Sequence, residues 1–410
     1  MGVHGTDDKR GREMSGSSAG VVVVGAGLGA IKVAENLRNN GFTDPITLVG
    51  AEAHPPYDRP PLSKSVLLGK DDRVDLKPAE FYSESDITLR LDERVTAVSA
   101  ADRTIALASG TIVAYDALVL ATGLDPRPFP GLTENVRGVH VLRTYDDAVA
   151  LRGEIDSAST AVVIGAGFVG CEVAAGLATR GLTVSLVEPA PTPLAEALGE
   201  QIGALVSRLH IANGIDLRTG VGVVEIVVSD GRVDAVELTD GTTLPADIVV
   251  VGIGSTPVTD YLDGSGIDLA PREAGGGIAC DATGHTSAEN VYALGDVANW
   301  LDEDGAPRRM EHWNHTVEQA SVVAQQITGG DAVTASVAYF WSDQFDLKIQ
   351  VLGAPRADDD VHLVDDDGKK FVAYYSRNGV LTGVVGAGKA GAVMKTRPKL
   401  QTPTPVADLL

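Results

Sequence analysis

Apolar and polar positions along this chain repeat one plan twice. Val21–Val24 and Val162–Ile164 are unbroken β-branched runs stopped by glycine, the pattern of strands buried on both faces of a parallel sheet. Each is followed by a helix-spaced segment. The first runs to Asn40; in the second, Phe168, Val173, Ala174 and Leu177 form the sheet-facing stripe and Gly181 ends it. Second strands follow at Ile46–Val49 and Val184–Val187. Further buried strands are predicted at 115–123, 246–254 and 290–296, and short ones at 87–91, 94–98 and 103–107 between turn residues. The segment 316–327 predicts a helix, with Trp313 ahead of it. From 335 onward the runs at 348–352, 361–364, 370–375 and 380–385 alternate as an antiparallel sheet does.

This order predicts an α/β protein of two Rossmann-like dinucleotide-binding units and a small C-terminal α+β domain. The first unit spans residues 20–125 and 253–330, the second 126–252, and the C-terminal domain 331–410, with Pro126, Pro128 and Pro130 marking a linker.

The strand-to-helix turns carry the chemistry. Gly165, Gly167 and Gly170 form G-x-G-x-x-G; Gly25, Gly27 and Ala30 repeat it, with Leu28 and Gly29 between. The first glycine permits the tight turn, the second admits a pyrophosphate close to backbone, and the third position lets helix pack on strand. The helix N-terminus offers free N–H groups to the phosphates. Glu188 ends the second unit's second strand, where a carboxylate can accept from a ribose diol; Glu52 follows the first unit's. Two such units suggest two dinucleotides face to face, the design of a flavoprotein reductase. Between them, His54-Pro-Pro-Tyr-Asp-Arg-Pro-Pro-Leu-Ser-Lys64 reads as a rigid loop over a ring system. Asp296, just past Gly295 at a strand's end, suits a polyol chain or a helix N-cap.

Composition narrows the partners. At 410 residues and 44% hydrophobic the chain supports real cores, and a net charge of −23 argues against nucleic acid. No apolar run reaches the roughly 20 residues of a membrane span. Residues 1–19 read as a disordered polar tail without a signal-peptide core. Two cysteines, Cys171 and Cys280, make no disulfide framework, which predicts a cytoplasmic protein. His312 and His315 lack a third ligand, so no metal site is expected. An acidic partner would need a local basic patch; the candidates are Arg308-Arg309, Lys348, Lys369-Lys370 and the 389–399 region.

With Pro60-Pro-Leu-Ser-Lys64, Leu142-Arg-Thr144, Ala293-Leu-Gly-Asp296, Val317-Glu-Gln-Ala320 and Phe340-Trp-Ser-Asp-Gln344, the chain from about residue 20 onward resembles the FAD-dependent NADH–ferredoxin reductases. This is the family of putidaredoxin reductase and of the reductase components of Rieske-type dioxygenases. The resemblance implies FAD and NADH as cofactors and a [2Fe–2S] ferredoxin as partner, with no membrane association and a monomeric or homodimeric state.

It also implies roles. Gly25, Ala26, Gly27, Leu28 and Gly29 hold the FAD pyrophosphate; Arg59 and Lys64 lie at the flavin; Val95 meets the adenine through its backbone; Thr122 and Gly123 line the FAD edge. Arg143 and Asp296 bond the pyrophosphate and ribityl region, and Trp313 stands against the isoalloxazine. The family's acid after Val-Gly is Ala51 here, so either Glu52 takes over the ribose contact or the contact is lost. Gly165, Gly167, Phe168, Val169 and Gly170, with Gly252 and Gly254, take the nicotinamide dinucleotide. Glu172, in the first turn of its helix, faces the flavin and pairs with Lys64. Glu188, with no arginine in Pro189–Pro193, favours NADH over NADPH. No catalytic acid, base or nucleophile is expected. Related readings are an NADH oxidase, a rubredoxin reductase, or an NADH-responsive sensor similar to apoptosis-inducing factors.

Overall fold

A computed structural model describes residues 18–132, 136–302, 304–330 and 337–410; most of the expected N-terminal tail and the start of the expected C-terminal domain lie outside these. Two five-stranded parallel sheets repeat one arrangement. In the first the order is Val291–Ala293, Ala117–Leu120, Val21–Val24, Ile46–Val49, Ile87–Arg90. In the second it is Asp216–Thr219, Thr183–Glu188, Thr160–Ile164, Ile248–Val251, Val139–His140. In both, the strand entering the glycine turn is central, and its last four residues are fully buried. The helices Leu28–Asn39 and Phe168–Thr179 follow these turns.

Each parallel sheet has a three-stranded antiparallel companion: Val95–Ser99, Thr104–Leu107 and Ile112–Ala114 in one case, Val223–Ser229, Arg232–Leu238 and Thr243–Pro245 in the other. Ile87–Arg90 belongs to the parallel sheet, not with the short strands beside it in sequence. It pairs in parallel with Ile46–Val49 and forms the sheet's edge. The chain crosses between the two units twice, and the crossing strands Leu124–Pro126 and Ser255–Pro257 pair with each other.

The C-terminal sheet is antiparallel and five-stranded, ordered Tyr339–Gln344, Leu347–Gly353, Val380–Ala387, Phe371–Arg377, Asp360–Asp366. It is not a separate body. Leu347, Ile349, Val351, Phe371 and Tyr375 share one core with Val173, Leu177, Leu198 and Ile202 of the second unit's helices. A fully buried side chain of this size contributes roughly 1.5–3 kcal/mol. Tyr375 adds a hydrogen bond to the Leu198 carbonyl at 2.6 Å. No helix among the described residues is long and apolar enough to cross a membrane.

Candidate functional site

The two glycine turns are sterically the same object. Gly25 has φ +111° and Gly165 has φ +96°; a Cβ at either would stand 2.3 Å from a neighbouring-strand carbonyl, of Ala121 and Gly252 respectively. Only glycine fits there. A Cβ at Gly170 would meet the Gly165 carbonyl at 2.0 Å, and one at Gly29 would meet Leu294 at 2.5 Å. At Gly27 and Gly167 it would meet nothing within 4 Å, so that space is open cleft. Both helices start there without a side-chain cap, which leaves their first N–H groups to an anion.

Strand register places Gly50 opposite the role of Glu188, since Val49 pairs with Val24 and Val187 with Ile164. A Cβ at Gly50 would be 2.6 Å from that of Ala26, so no acid can occupy that position in the first unit. Ala51 is exposed, and Glu52 turns back into the loop. Its Oε1 accepts from Arg59 Nη2 at 2.7 Å and its Oε2 from the Tyr57 hydroxyl at 2.5 Å. Glu188 differs: its carboxylate accepts from the Ala166 and Ala190 amides at 2.6 and 2.9 Å, which holds it across the mouth of the second turn.

The first unit's half of the cleft holds charge without matching partners. Arg143, whose backbone amide is pinned by Asp147 of the capping box, has a side chain whose ion-pair partner among the described residues is Asp296 at 3.7 Å. Burial, and Arg59 beside it, lower its pKa. Burial raises that of Asp296. A Cβ at Gly123 would be 2.7 Å from Arg143 Nη2. A half-buried guanidinium and a half-buried carboxylate, facing the cleft with no side-chain hydrogen bond among the described residues, fit a ligand that brings phosphate oxygens to one and hydroxyls to the other. The site therefore suits a flavin dinucleotide. The Thr122 hydroxyl is already committed to the Val258 carbonyl at 2.9 Å, so that residue offers the cleft its backbone. Trp313 is the first residue of the helix Trp313–Thr328, and its indole N–H donates to Asp58 at 2.9 Å. Val95 is buried and lines the cleft.

Lys64 and Glu172 meet as expected, Nζ to Oε2 at 2.6 Å. Glu172 is not in the first turn of its helix, which contains no acid; the helix starts at Phe168, one turn earlier. Its placement comes from side-chain donors rather than from the helix terminus. Ser63 donates to Oε2 at 2.5 Å, Ser342 to Oε1 at 2.7 Å and the Asp343 amide to Oε1 at 3.2 Å. Sequence reasoning missed Ser63, Ser342, Tyr57, Phe340 and Trp341 as site residues. Phe340, Trp341 and Ser342 do fall in the motif Phe340-Trp-Ser-Asp-Gln344, and Tyr57 and Ser63 in the proline-rich loop. Burial pushes the Cys171 thiol up and out of the reactive range and Cys280 up to about 12. His312, tilted against Phe340 with ring centroids 4.4 Å apart, and His315 are both depressed to about 4, first by burial. Among the described residues no three potential ligands gather for a metal.

Every site residue expected from sequence lines one continuous cleft of about 1170 Å³, larger than the roughly 300–1,000 Å³ of a single small-ligand pocket. Its geometry is that of a flavoprotein in which two dinucleotides meet. The chain belongs to the pyridine nucleotide-disulphide oxidoreductase family, whose model matches residues 19–320, followed by a reductase C-terminal domain over residues 339–408. It is 37% identical over 365 residues to the ferredoxin–NAD(P)(+) reductase of a Sphingomonas species, covering 88% of this chain and 87% of the relative. It is 36% identical over 391 residues to rhodocoxin reductase of Rhodococcus erythropolis, covering 94% and 90%. Among solved structures, the covalent putidaredoxin reductase–putidaredoxin complex superposes with a TM-score of 0.89 at 30% identity, covering 94% of both chains.

Proposed function

We propose that this chain is an FAD-dependent NADH:ferredoxin oxidoreductase that feeds a [2Fe–2S] ferredoxin serving an oxygenase. The observation that carries the reading is a single cleft in which two glycine turns of one geometry flank a lysine paired with a buried glutamate. FAD held by Gly25–Gly29, Arg59 and Arg143 would supply the chemistry that matches a two-electron donor, NADH, to a one-electron acceptor.

The chain's own residues bind, orient and shield. Residues Gly25–Gly29, Arg143 and Arg59 take the FAD pyrophosphate, Asp296 its polyol, Val95 its adenine, and the Thr122-Gly123 backbone with Trp313 its ring. Glu52 is assigned to orienting Arg59, which leaves the adenosine ribose without a carboxylate. The turn Gly165, Gly167, Phe168, Val169 and Gly170, with Gly252 and Gly254, takes the NADH pyrophosphate. Lys64 supplies positive charge where the two rings meet, and Glu172 holds it there. Residues 20–125 with 253–330 form the flavin unit, 126–252 the nicotinamide unit, and 331–410 the cover. Two buried, unpaired cysteines suit a reducing cytoplasm. The test is NADH-driven cytochrome c reduction. A rate that depends on added ferredoxin supports the reading. Slow flavin reduction with a long-lived nucleotide complex would support the sensor instead.

Glu188 is assigned to the adenosine ribose diol of NADH. A 2′-phosphate there would face its carboxylate, and a like-charge contact near 4 Å costs on the order of 4 kcal/mol at a protein surface. The double variant Glu188→Ala, Pro189→Arg is expected to lower the NADH-over-NADPH ratio of kcat/KM by about a hundredfold. An unchanged ratio would remove Glu188 from this role.

Of the nine basic candidates for docking, four are neutralised locally. Lys348 pairs with Asp343, Lys369 with Asp346, Lys389 with Asp365, and Arg309 with Glu311. The side chains of Arg308, Lys370, Lys395, Arg397 and Lys399 have no hydrogen bond or ion pair among the described residues, and of these Arg308 adjoins Arg309, which lines the cleft. Burial, then Arg356 and Arg377 nearby, lower the pKa of Arg308. It is assigned to docking an acidic ferredoxin. Arg308→Glu is expected to raise the KM for ferredoxin about tenfold at low salt, a difference that shrinks as salt is added. A KM unchanged at low salt would move the docking face elsewhere.

A further inference from the structure

Three units of the fold converge on one carboxylate, and the C-terminal sheet does so through a single strand. Alternation along Tyr339–Gln344 sends Phe340, Ser342 and Gln344 to one face. That face runs along the helix Phe168–Thr179. Phe340 meets Phe168 edge-on at 4.9 Å. One step along the strand and one turn along the helix, the Ser342 hydroxyl donates to Glu172 Oε1 at 2.7 Å. Gln344 Nε2 donates to Ser342 Oγ at 3.1 Å, and Gln344 Oε1 lies 3.0 Å from His210 Nε2. Ser342, Gln344 and His210 are each 0% exposed.

The direction of this chain follows from chemistry. Both Glu172 oxygens accept, so the Ser342 hydroxyl gives its proton to Glu172 and accepts from the Gln344 amide nitrogen. The Gln344 oxygen then needs a donor, and His210 supplies Nε2–H. That assignment leaves His210 Nδ1 bare, and it is a buried atom without a partner. Every donor points toward Glu172. On its other oxygen sit Ser63 and Lys64. Rotating the carboxylate would strand buried donors, at about 1–3 kcal/mol each.

We infer that Ser342, buttressed by Gln344 and His210, is a positioning residue: it locks Glu172, and through Glu172 it fixes the Lys64 ammonium in the cofactor cleft. The C-terminal sheet thereby completes a site whose other parts come from the two dinucleotide units. The inference rests on the reductase reading of that cleft.

The test compares FAD-loaded wild type with Ser342→Ala, and with Glu172→Gln as the reference for full loss. Two quantities are read: the midpoint potential of bound FAD, and the limiting rate of anaerobic flavin reduction against the Kd for NADH. In Ser342→Ala the limiting rate falls about tenfold, a fraction of the hundredfold that a 1 Å misplacement can cost. The Kd for NADH holds, and the potential moves toward that of Glu172→Gln. A part that only glued the sheet in place would lower melting temperature and move neither. Wild-type rate and potential in Ser342→Ala, with both changed in Glu172→Gln, would overturn the inference alone. Wild-type behaviour of Glu172→Gln would overturn the reading of the cleft and this inference with it. Should Ser342→Ala not fold, Gln344→Met removes the buttress and keeps the hydroxyl; it is expected to change both quantities in the same direction, and wild-type values there would equally overturn the inference.

Discussion

Gly25→Ala purifies without flavin colour. The residue sits at φ +111°, and the added Cβ would stand 2.3 Å from the Ala121 carbonyl oxygen. A positive φ alone costs a non-glycine residue about 1–3 kcal/mol. Relief of the overlap must come from backbone, because the obstacle is the central sheet's own neighbour strand. The turn then moves away from the pyrophosphate and its helix N-terminus loses its aim. FAD affinity is expected to fall by about a hundredfold or more, the scale of a 1 Å misplacement. The check is the flavin content and the Kd of the refilled protein; stoichiometric, wild-type-tight flavin would remove this turn from the site.

Gly165→Ala gives the complementary result. Its φ is +96° and the overlap, with the Gly252 carbonyl oxygen, is the same 2.3 Å. The damage falls in the other unit. The protein is expected to stay yellow and keep its flavin, while kcat/KM for NADH drops by about a hundredfold. Rapid chemical reduction by dithionite, which needs no nucleotide site, is expected to be unaffected. If Gly165→Ala instead lost flavin and reduced normally when refilled, the two turns would have to exchange roles. The pair tests the assignment in a way neither variant does alone, since the same atom is added at equivalent places.

The parts of this site legible in the sequence are those whose demands are local. Gly170 is required by a clash within its own strand–turn–helix unit, and Gly25 and Gly165 by the positive φ of the turn itself, so the turn announces itself. Glu188 ends a strand, and strand length fixes where it points. Thr122-Gly123 and Gly252 end the strands that those glycines abut. What depends on units meeting was not legible. Ser342 and Gln344 lie far along the chain from Glu172, and only the docking of the C-terminal sheet against the helix Phe168–Thr179 gives them a role.

Two other differences have local causes that spacing alone underdetermines. Glu52 looks like a displaced ribose acid, but Tyr57 and Arg59 of the proline-rich loop claim both of its oxygens. Glu172 looks like a first-turn carboxylate, yet the helix begins at Phe168 and side chains hold it. Three of the lysines that read as a basic patch, Lys348, Lys369 and Lys389, are matched by aspartates of neighbouring strands and turns. Charge counted along the chain cannot show that cancellation; charge placed in space does.

The account rests on a flavin and a nicotinamide meeting across the cleft between Gly25 and Gly165. Anaerobic titration of the purified protein with NADH, followed by its visible spectrum, addresses this directly. The account predicts a flavin spectrum that bleaches with about one equivalent of NADH, as two-electron chemistry requires. A colourless protein after incubation with FAD, or a flavin spectrum indifferent to NADH, would contradict it.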